Sequence, residues 1–453
     1  MPTRAYAEAA DALLAPFTTI SNLLHISATG EHKTLAFAHH ARNRTRWSSA
    51  SGIESLRLVL ATSSMDVVVD DTSDALRAHF GTVWPALRQG GVFMFPLQPH
   101  IGDVMAWLNT LSERAGPHIN GHAHHHYHGS RTRTHYLAAA EAKLRVSLPP
   151  FVGILFCAPS GCAVTKLGPC DCVGSQAALH GCARGRNGAE PASAARCTGL
   201  AQRMADTVTF TADGQAGKPV SDKIWMSSYQ IIYGSLLTPY TRPAGRRLKM
   251  LEIGLGCDEA YGPGASVSLW QRHFTPVKLE LWEGEFNAKC VARSIANGKL
   301  KGVGTVTGDQ GNATVLRRWL DETHAAEPDQ AFDIVIDDGG HQNTHTVTTF
   351  AHFWPVVRPG GMYFIEDLHV ARMSHYEDTN GTNISTDLLR GWMEQLAGAS
   401  APMQLPGGRK DQSPQAASWY TKRPPFDGIR KLPEGTSFIA CQTRTCALGK
   451  GPR

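Results

Sequence analysis

Four carboxylates and one histidine fall within a short stretch of this chain. Asp337-Asp338 and Glu366-Asp367 each close an apolar run, Phe332–Ile336 and Met362–Ile365, and His341 follows the first pair. Carboxylates that close repel unless a cation lies between them, and a hard, oxygen-seeking ion such as Mg²⁺ is the simplest candidate. A histidine beside such an ion is placed to take a proton from a hydroxyl. Ordinary polar loops at strand ends are the competing reading of the acids. A capping or packing residue is the competing reading of His341.

For these groups to meet, specific elements must carry them. The run from Phe332 to Asp367 reads as strand, helix, strand. Strands joined by a helical crossover are normally parallel, so both acid pairs reach one edge of a sheet. Upstream, Lys249–Gly256 is an apolar run that breaks at Gly254-Leu255-Gly256, ahead of a helical stretch, Val267–Phe274. Strand, glycine turn and helix open a nucleotide-binding α/β unit. The third glycine of the dinucleotide fingerprint is replaced by Glu259, which would face a pyrophosphate with a carboxylate. That argues against NAD or FAD and for a cofactor without phosphates. The next strands, Val277–Trp282 and Gly302–Thr307, end in Glu283-Gly284-Glu285 and Gly308-Asp309-Gln310. An acid at the first position suits a ribose diol, and Asp309 suits an adenine amino group.

Together these runs resemble a class I S-adenosylmethionine-dependent methyltransferase. The LEIGLG, GDQ, IDDGGH and PGGMYFIEDL segments are similar to those of the metal-dependent macrolide-sugar O-methyltransferases and of related fungal and algal sequences. Asp222-Lys223, Tyr229 and Tyr233 extend the resemblance, which covers roughly Val220–Leu396. It implies an α/β, Rossmann-like fold with a seven-stranded, mostly parallel sheet and a reversed last hairpin that includes Ser437–Ala440. It also implies S-adenosyl-L-methionine and Mg²⁺ as cofactors. By resemblance, Asp338, Glu366 and Asp367 hold the metal and His341 is the general base. The cofactor set is Glu252, Gly254, Gly256, Glu285, Asp309, Gln310 and Asp337. Glu283 remains an alternative to Glu285 for the ribose. His345 is a candidate outer partner of the metal site, and His369 a substrate contact. The acceptor is a small molecule bearing a hydroxyl, sugar-like, with a neighbouring oxygen for the metal.

The first half repeats part of this pattern. Met65–Leu97 matches Phe332–Leu368 in its Asp-Asp strand end, helix, Trp-Pro, Gly-Gly and aromatic strand. Trp107–Leu111 matches Trp392–Leu396, and Cys157–Lys166 matches Cys441–Lys450 with the same cysteine spacing. The order of matched features predicts an internal repeat. The chemistry is lost in this copy: Ser73 or Asp74 stands for His341, and Pro96-Leu97 for Glu366-Asp367. About 70 residues precede Asp70, too few for three strand–helix units of roughly 30 residues each. The expectation is a degenerate partial repeat at 1–167, packed as an extra sheet or partly disordered, a linker at 168–218, and the methyltransferase domain at 219–453. A fusion of gene fragments is the alternative.

Composition bounds the rest. With 453 residues and a net charge of +5, the chain has room for two or three domains and no basic stripe for nucleic acid. No apolar run is long enough to span a membrane. The N-terminus makes a poor secretory signal, so a cytoplasmic place is the default, and a homo-oligomer is left open. Cys170, Cys172, Cys182 and Cys197 lack zinc-knuckle spacing. The two CxxxxC pairs are disulfides in an oxidising compartment and buried thiols otherwise. Cys257 and Cys290 read as packing residues, and the histidine run His118–His128 as a low-complexity loop. Two rival functions remain: a non-catalytic binding or scaffold protein on a methyltransferase fold, and a catechol-type O-methyltransferase, which an apolar clamp over the metal would favour.

Overall fold

The computed structural model describes residues 20–27, 41–48, 51, 53–61, 64–72, 76–95, 104, 152–158, 161–166, 221–225, 227, 229–259, 262–327, 329–396 and 431–451. The linker at 168–218, its four cysteines and the histidine run lie outside these residues.

β3 (Met65–Asp70) and β10 (Phe332–Asp337) are buried at every position, the mark of a strand covered on both faces. Around them runs a single thirteen-stranded sheet in the order β2-β1-β3-β4-β6-β5-β12-β13-β11-β10-β7-β8-β9. Its C-terminal strands are β7 (Arg247–Ile253), β8 (Lys278–Glu285), β9 (Gly304–Thr307), β10, β11 (Val357–Ile365), β12 (Thr436–Gln442) and β13 (Thr445–Lys450). The chain builds outward from β7 to β9, then returns to lay β10 on the other side of β7. Ligands of open α/β sheets bind where the order reverses in this way. β7, β8, β9, β10 and β11 are parallel, whereas β13 runs antiparallel to both β11 and β12.

Register brings the chemistry to one edge. Asp337 pairs with both Ile253 and Ile365, and Ile253 pairs with Gly284. The loops that follow these residues therefore leave the sheet side by side. Alternate residues feed two cores, one on each face: Leu251 and Val335 join Trp319, Phe350 and Trp392 on one side, and Met250, Ile334 and Ile336 join Tyr233 and Trp270 on the other.

The remaining strands are β1 (Ile20–Ser27), β2 (Ala41–Ser48), β3, β4 (Leu87–Phe95), β5 (Val152–Ala158) and β6 (Gly161–Lys166). Among the described residues two strands, β1 and β2, precede β3 as parallel neighbours, one fewer than the three that precede β10. This half is not a separate sheet. β5 pairs antiparallel with β12, and Phe156 stacks on Phe438 with ring centroids 4.6 Å apart, so the sheet runs on unbroken past the expected seven strands. No helix among the described residues is long and apolar enough to cross a membrane.

Candidate active site

The glycine turn after β7 exists because two loops must touch. Gly254 has φ +109°, and a Cβ there would lie 2.1 Å from the Asp338 carbonyl oxygen. Only glycine takes both that conformation and that approach without strain. The turn and its neighbours wall a cavity of about 600 Å³ at the C-terminal edge of β7, β8 and β10, within the roughly 300–1,000 Å³ usual for small-molecule sites.

Around the cavity, the expected residues divide into those that line it and those that brace it. Gly254, Gly256, Glu285, Asp309 and Gln310 line it. The Glu285 carboxylate accepts from Leu255 N at 3.1 Å and Asn287 N at 2.8 Å, which ties the glycine turn to the β8 loop. Glu283 is fully buried beside Glu252, its partner in register, and neither lines the cavity. Burial and the neighbouring Glu252 push the Glu283 carboxyl well above the usual range. Glu252, expected among the cofactor contacts, therefore lies beneath the floor. Its position on β7 points it into the sheet rather than past its end.

Asp337 is likewise a brace. Gln310 Nε2 donates to Asp337 Oδ1 at 2.9 Å, and Gly340 N donates to Gln310 Oε1 at 2.9 Å. This bridge fastens the loop after β9 to the loop after β10. Burial raises the Asp337 carboxyl, while the hydrogen bond from Gln310 acts in the opposite direction. Asp309 is half exposed, with His345 Nε2 3.6 Å from its Oδ1. His345, on α8 (Asn343–Phe353), thus faces the expected adenine end rather than the acids. Phe286, exposed and lining the same cavity beside Glu285, carries a flat apolar surface there that the sequence reading did not single out.

At the other end of the cavity stand Asp338, His341 and Asp367, whose ligand atoms lie within 4.8 Å of one another. His341 Nε2 is 4.0 Å from Asp338 Oδ1 and 3.9 Å from Asp367 Oδ2. His341 and Asp367 both hold left-handed backbone, φ +57° and +51°, at a cost of about 1–2 kcal/mol each. Such conformations persist where surrounding structure over-determines them, often at functional sites. The Tyr229 hydroxyl donates to Asp367 Oδ1 at 2.5 Å. Burial raises Asp367, but His341, His369 and Tyr229 outweigh it, and its carboxyl ends below the usual value.

Glu366, the third expected metal ligand, does not join this trio. It is buried, accepts from Lys223 Nζ at 2.8 Å and from the Tyr233 hydroxyl, and does not line the cavity. Its neighbour Asp367 turns outward through its left-handed backbone, so consecutive acids face opposite ways. His369 is partly buried, which lowers its pKa to about 4, and it does not line the cavity. Lys223 comes from α3 (Asp222–Trp225), and Tyr233 from α4 (Gln230–Leu237) just after Tyr229. The i, i+4 spacing of the tyrosines, which puts both on one helix face, was the available signal for their role.

Cys257 and Cys290 are joined in a disulfide, contrary to the packing role expected of them. The bridge fastens the glycine loop to the first turn of α6 (Ala288–Ala296). The CxxxxC pairs, Cys157–Cys162 and Cys441–Cys446, are also disulfides, each between residues directly opposite in a hairpin.

Known proteins similar to this chain are methyltransferases. Residues 264–368 match the family model described as a methyltransferase domain. The chain is 31% identical over 176 residues to the 8-demethyl-8-alpha-L-rhamnosyl tetracenomycin-C 2'-O-methyltransferase of Streptomyces olivaceus, covering 38% of this chain and 42% of that protein. It is 30% identical over 168 residues to the mycinamicin VI 2''-O-methyltransferase of Micromonospora griseorubida, covering 36% and 37%. The chain thus spans about two-fifths of the length of the curated relatives it matches. A solved structure titled as the MycE methyltransferase in complex with Mg and SAH is a distant likeness, at 20% identity and a TM-score of 0.38, covering 61% of this chain and 58% of that one. These relatives are O-methyltransferases by name, the class first suggested by the sequence motifs.

Proposed function

We propose that this chain is an S-adenosylmethionine-dependent O-methyltransferase, assisted by Mg²⁺, that acts on a hydroxyl of a sugar-like small molecule. The observation that carries the reading is the convergence, in one cavity, of the glycine turn, Glu285 and Asp309 at one end with Asp338, His341 and Asp367 at the other. The first set fits an adenosyl group: a backbone cradle that a Cβ would fill, a carboxylate for the ribose and a half-exposed carboxylate for the base. The second fits a hard cation through two carboxylates, with Glu366 withheld. When bound, the cofactor supplies the methyl group and Mg²⁺ polarises neighbouring hydroxyls. The chain's own part is to hold the ion through Asp338 and Asp367 and to take the acceptor's proton on His341. Asp222 and Glu259 make the surrounding wall polar, which favours a sugar over a flat aromatic diol.

The domain boundaries expected from the sequence belong to the same proposal, as does the repeat. Several contacts support a worn copy in strands β1–β6. Asp71 N bonds Ile26 O at 2.9 Å, as Asp338 N bonds Ile253 O at 2.9 Å. Asn22 N donates to Asp66 Oδ2 at 2.8 Å, as Lys249 N does to Asp333 Oδ2 at 2.8 Å. Lys166 Nζ caps the carbonyls of Trp84 and Leu87, and Lys450 Nζ those of Trp354 and Pro355. The seam itself is self-complementary: Ile439, Ala440 and Cys441 pair with Cys157, Phe156 and Leu155, which are their counterparts in reverse. That is the pattern of a two-fold interface, here between halves of one chain.

Calorimetric titration of S-adenosylhomocysteine into the full-length protein with Mg²⁺ tests both proposals. One binding site per chain is expected. No binding by a folded protein overturns the enzyme reading, and two sites overturn the worn copy. Acceptors can then be screened with Asp338→Ala as the blank.

A further inference from the structure

One wall of the cavity carries a covalent bond that the proposed reaction does not use. The glycine loop after β7 meets the loop between β8 and α6, and two side-chain ties join them. The first is Glu285, whose carboxylate accepts from Leu255 N at 3.1 Å and from Asn287 N at 2.8 Å. The second is the disulfide of Cys257 and Cys290. Its two ends differ. Cys290 is 2% exposed and sits in the first turn of α6, where its N–H donates to the Asn287 side chain at 3.1 Å, so this end is fixed. Cys257 is half-buried and lines the cavity. The two hairpin disulfides have no such open end: Cys157, Cys162, Cys441 and Cys446 are each 3% exposed or less.

We propose that Cys257–Cys290 is a redox modification site within the cofactor pocket: the disulfide holds the glycine loop in its binding form, and a dithiol that reduces it releases the loop and weakens cofactor binding. This rests on the reading of that end of the cavity as the S-adenosyl pocket. A thiolate of the reductant attacks Sγ of Cys257, the less buried end. The bond between the two sulfurs breaks, and the Cys290 thiolate leaves and takes a proton. The reductant's second thiol then displaces Cys257 as a thiol, and the reductant departs as a disulfide, having passed two electrons to the protein. The loop's own turn bonds, Glu259 N to Gly256 O and Gly262 N to Glu259 O, tie it to itself. Reduction therefore leaves Glu285 holding Leu255, while Cys257 loses its covalent anchor. A cofactor that needs this loop ordered must then order it on binding, which lowers affinity. The coupling is reciprocal: a ligand that prefers the oxidised form by some factor shifts the dithiol–disulfide equilibrium by the same factor. A merely structural disulfide would change the melting temperature on reduction and leave the two equilibria independent.

The test is calorimetric titration of S-adenosylhomocysteine into the full-length protein, untreated and after graded reduction with dithiothreitol. Thiol labelling and peptide mass spectrometry locate the opened bond. Where Cys257–Cys290 is open and the hairpin disulfides are closed, affinity is expected to fall about fivefold or more. Saturating S-adenosylhomocysteine is expected to raise the ratio of reduced to oxidised dithiothreitol at half-reduction by the same factor. The double variant Cys257→Ser, Cys290→Ser is expected to bind as the reduced parent does and to ignore dithiothreitol. The proposal is overturned if Cys257 is a free thiol in the untreated protein, if the bond opens no earlier than the hairpin disulfides, or if the double variant binds as tightly as the oxidised parent. Should the double variant fail to fold, reduction of the parent decides alone. The two readings fail separately. Binding of equal strength in both redox forms sinks the modification site and leaves methyl transfer standing, whereas no binding by the folded, oxidised protein sinks both.

Discussion

At the tip of β3, both aspartates are hydrogen-bonded to histidines; at the tip of β10, neither is. Asp70 accepts from Thr72 N at 3.0 Å and pairs with His79 Nδ1 at 2.9 Å, and Asp71 pairs with His25 Nε2 at 2.7 Å. In the C-terminal half Asp337 is equally occupied, by Gln310 and Tyr363, but Asp338 is left between an ammonium and a cavity. The backbone frame is the same in both places. What differs is what is brought to it: a second acid pair after β11, a lysine and two tyrosines from helices ahead of β7, and a glycine turn beside them. The comparison teaches that a strand-end Asp-Asp pair is a frame for chemistry and becomes a site only through its surroundings.

The sharpest way to break that comparison is to remove the equivalent acid on each side. Asp338→Ala is expected to lower kcat/KM about a thousandfold or more, since the polarising ion supplies several kcal/mol and each 1.36 kcal/mol is about tenfold. Asp71→Asn is expected to leave the rate as it was. Steady-state kinetics on both variants decides, and equal losses would mean that the N-terminal tip also takes part. His341→Gln comes next, with an expected loss of about 10²–10⁴-fold in kcat and unchanged S-adenosylhomocysteine affinity by calorimetry.

Much of this site was legible in the sequence because strands announce themselves. The apolar stretches Met250–Leu251, Ile334–Ile336 and Met362–Ile365 mark β7, β10 and β11 as buried strands, and their parallel pairing brings the loops that follow together. β2 escaped notice because its residues are mostly exposed and polar, Arg42, Asn43, Arg44 and Arg46 among them, which reads as loop. Lys223 was singled out only as part of the resemblance, because its partners are acids 115 and 143 residues away in the chain, and no local period records that. The Cys257–Cys290 bridge, 33 residues apart, was hidden for the same reason. The outward turn of Asp367 next to the buried Glu366 goes with its left-handed backbone, a choice no composition reveals.

A smaller effect separates the histidines of the two halves. His79 is buried against a carboxylate, whereas His273, at the end of α5 (Ala265–His273), is buried with Nε2 unpartnered. Burial lowers the His273 pKa from 6.5 to about 4. A depressed histidine is neutral when folded and binds a proton when unfolded, so its cost appears as pH falls below about 6.5 and is complete near 4. At full extent this is about 3 kcal/mol of lost stability. His273→Leu is expected to flatten that acid limb in denaturant melts between pH 7 and pH 4, and an unchanged slope would show that the ring finds a partner in solution.

The last comparison asks for equality rather than contrast. A Cβ on Gly91 would lie 2.8 Å from Arg88 O and 2.9 Å from Asp66 O; on Gly361 it would lie 2.9 Å from Arg358 O and 2.7 Å from Asp333 O. In each case the third neighbour is the side chain of the residue that opens the strand, Leu87 or Val357. Backbone oxygens on both sides cannot give way cheaply, so either alanine forces a shift of strand against strand, typically about 1–3 kcal/mol for overpacking. If the halves are copies held in one sheet, Gly91→Ala and Gly361→Ala should lower the denaturation midpoint by similar amounts in a single transition. A much smaller effect at Gly91, or a separate early transition there, would mean that the N-terminal half follows the frame without sharing the cooperativity of the sheet it extends.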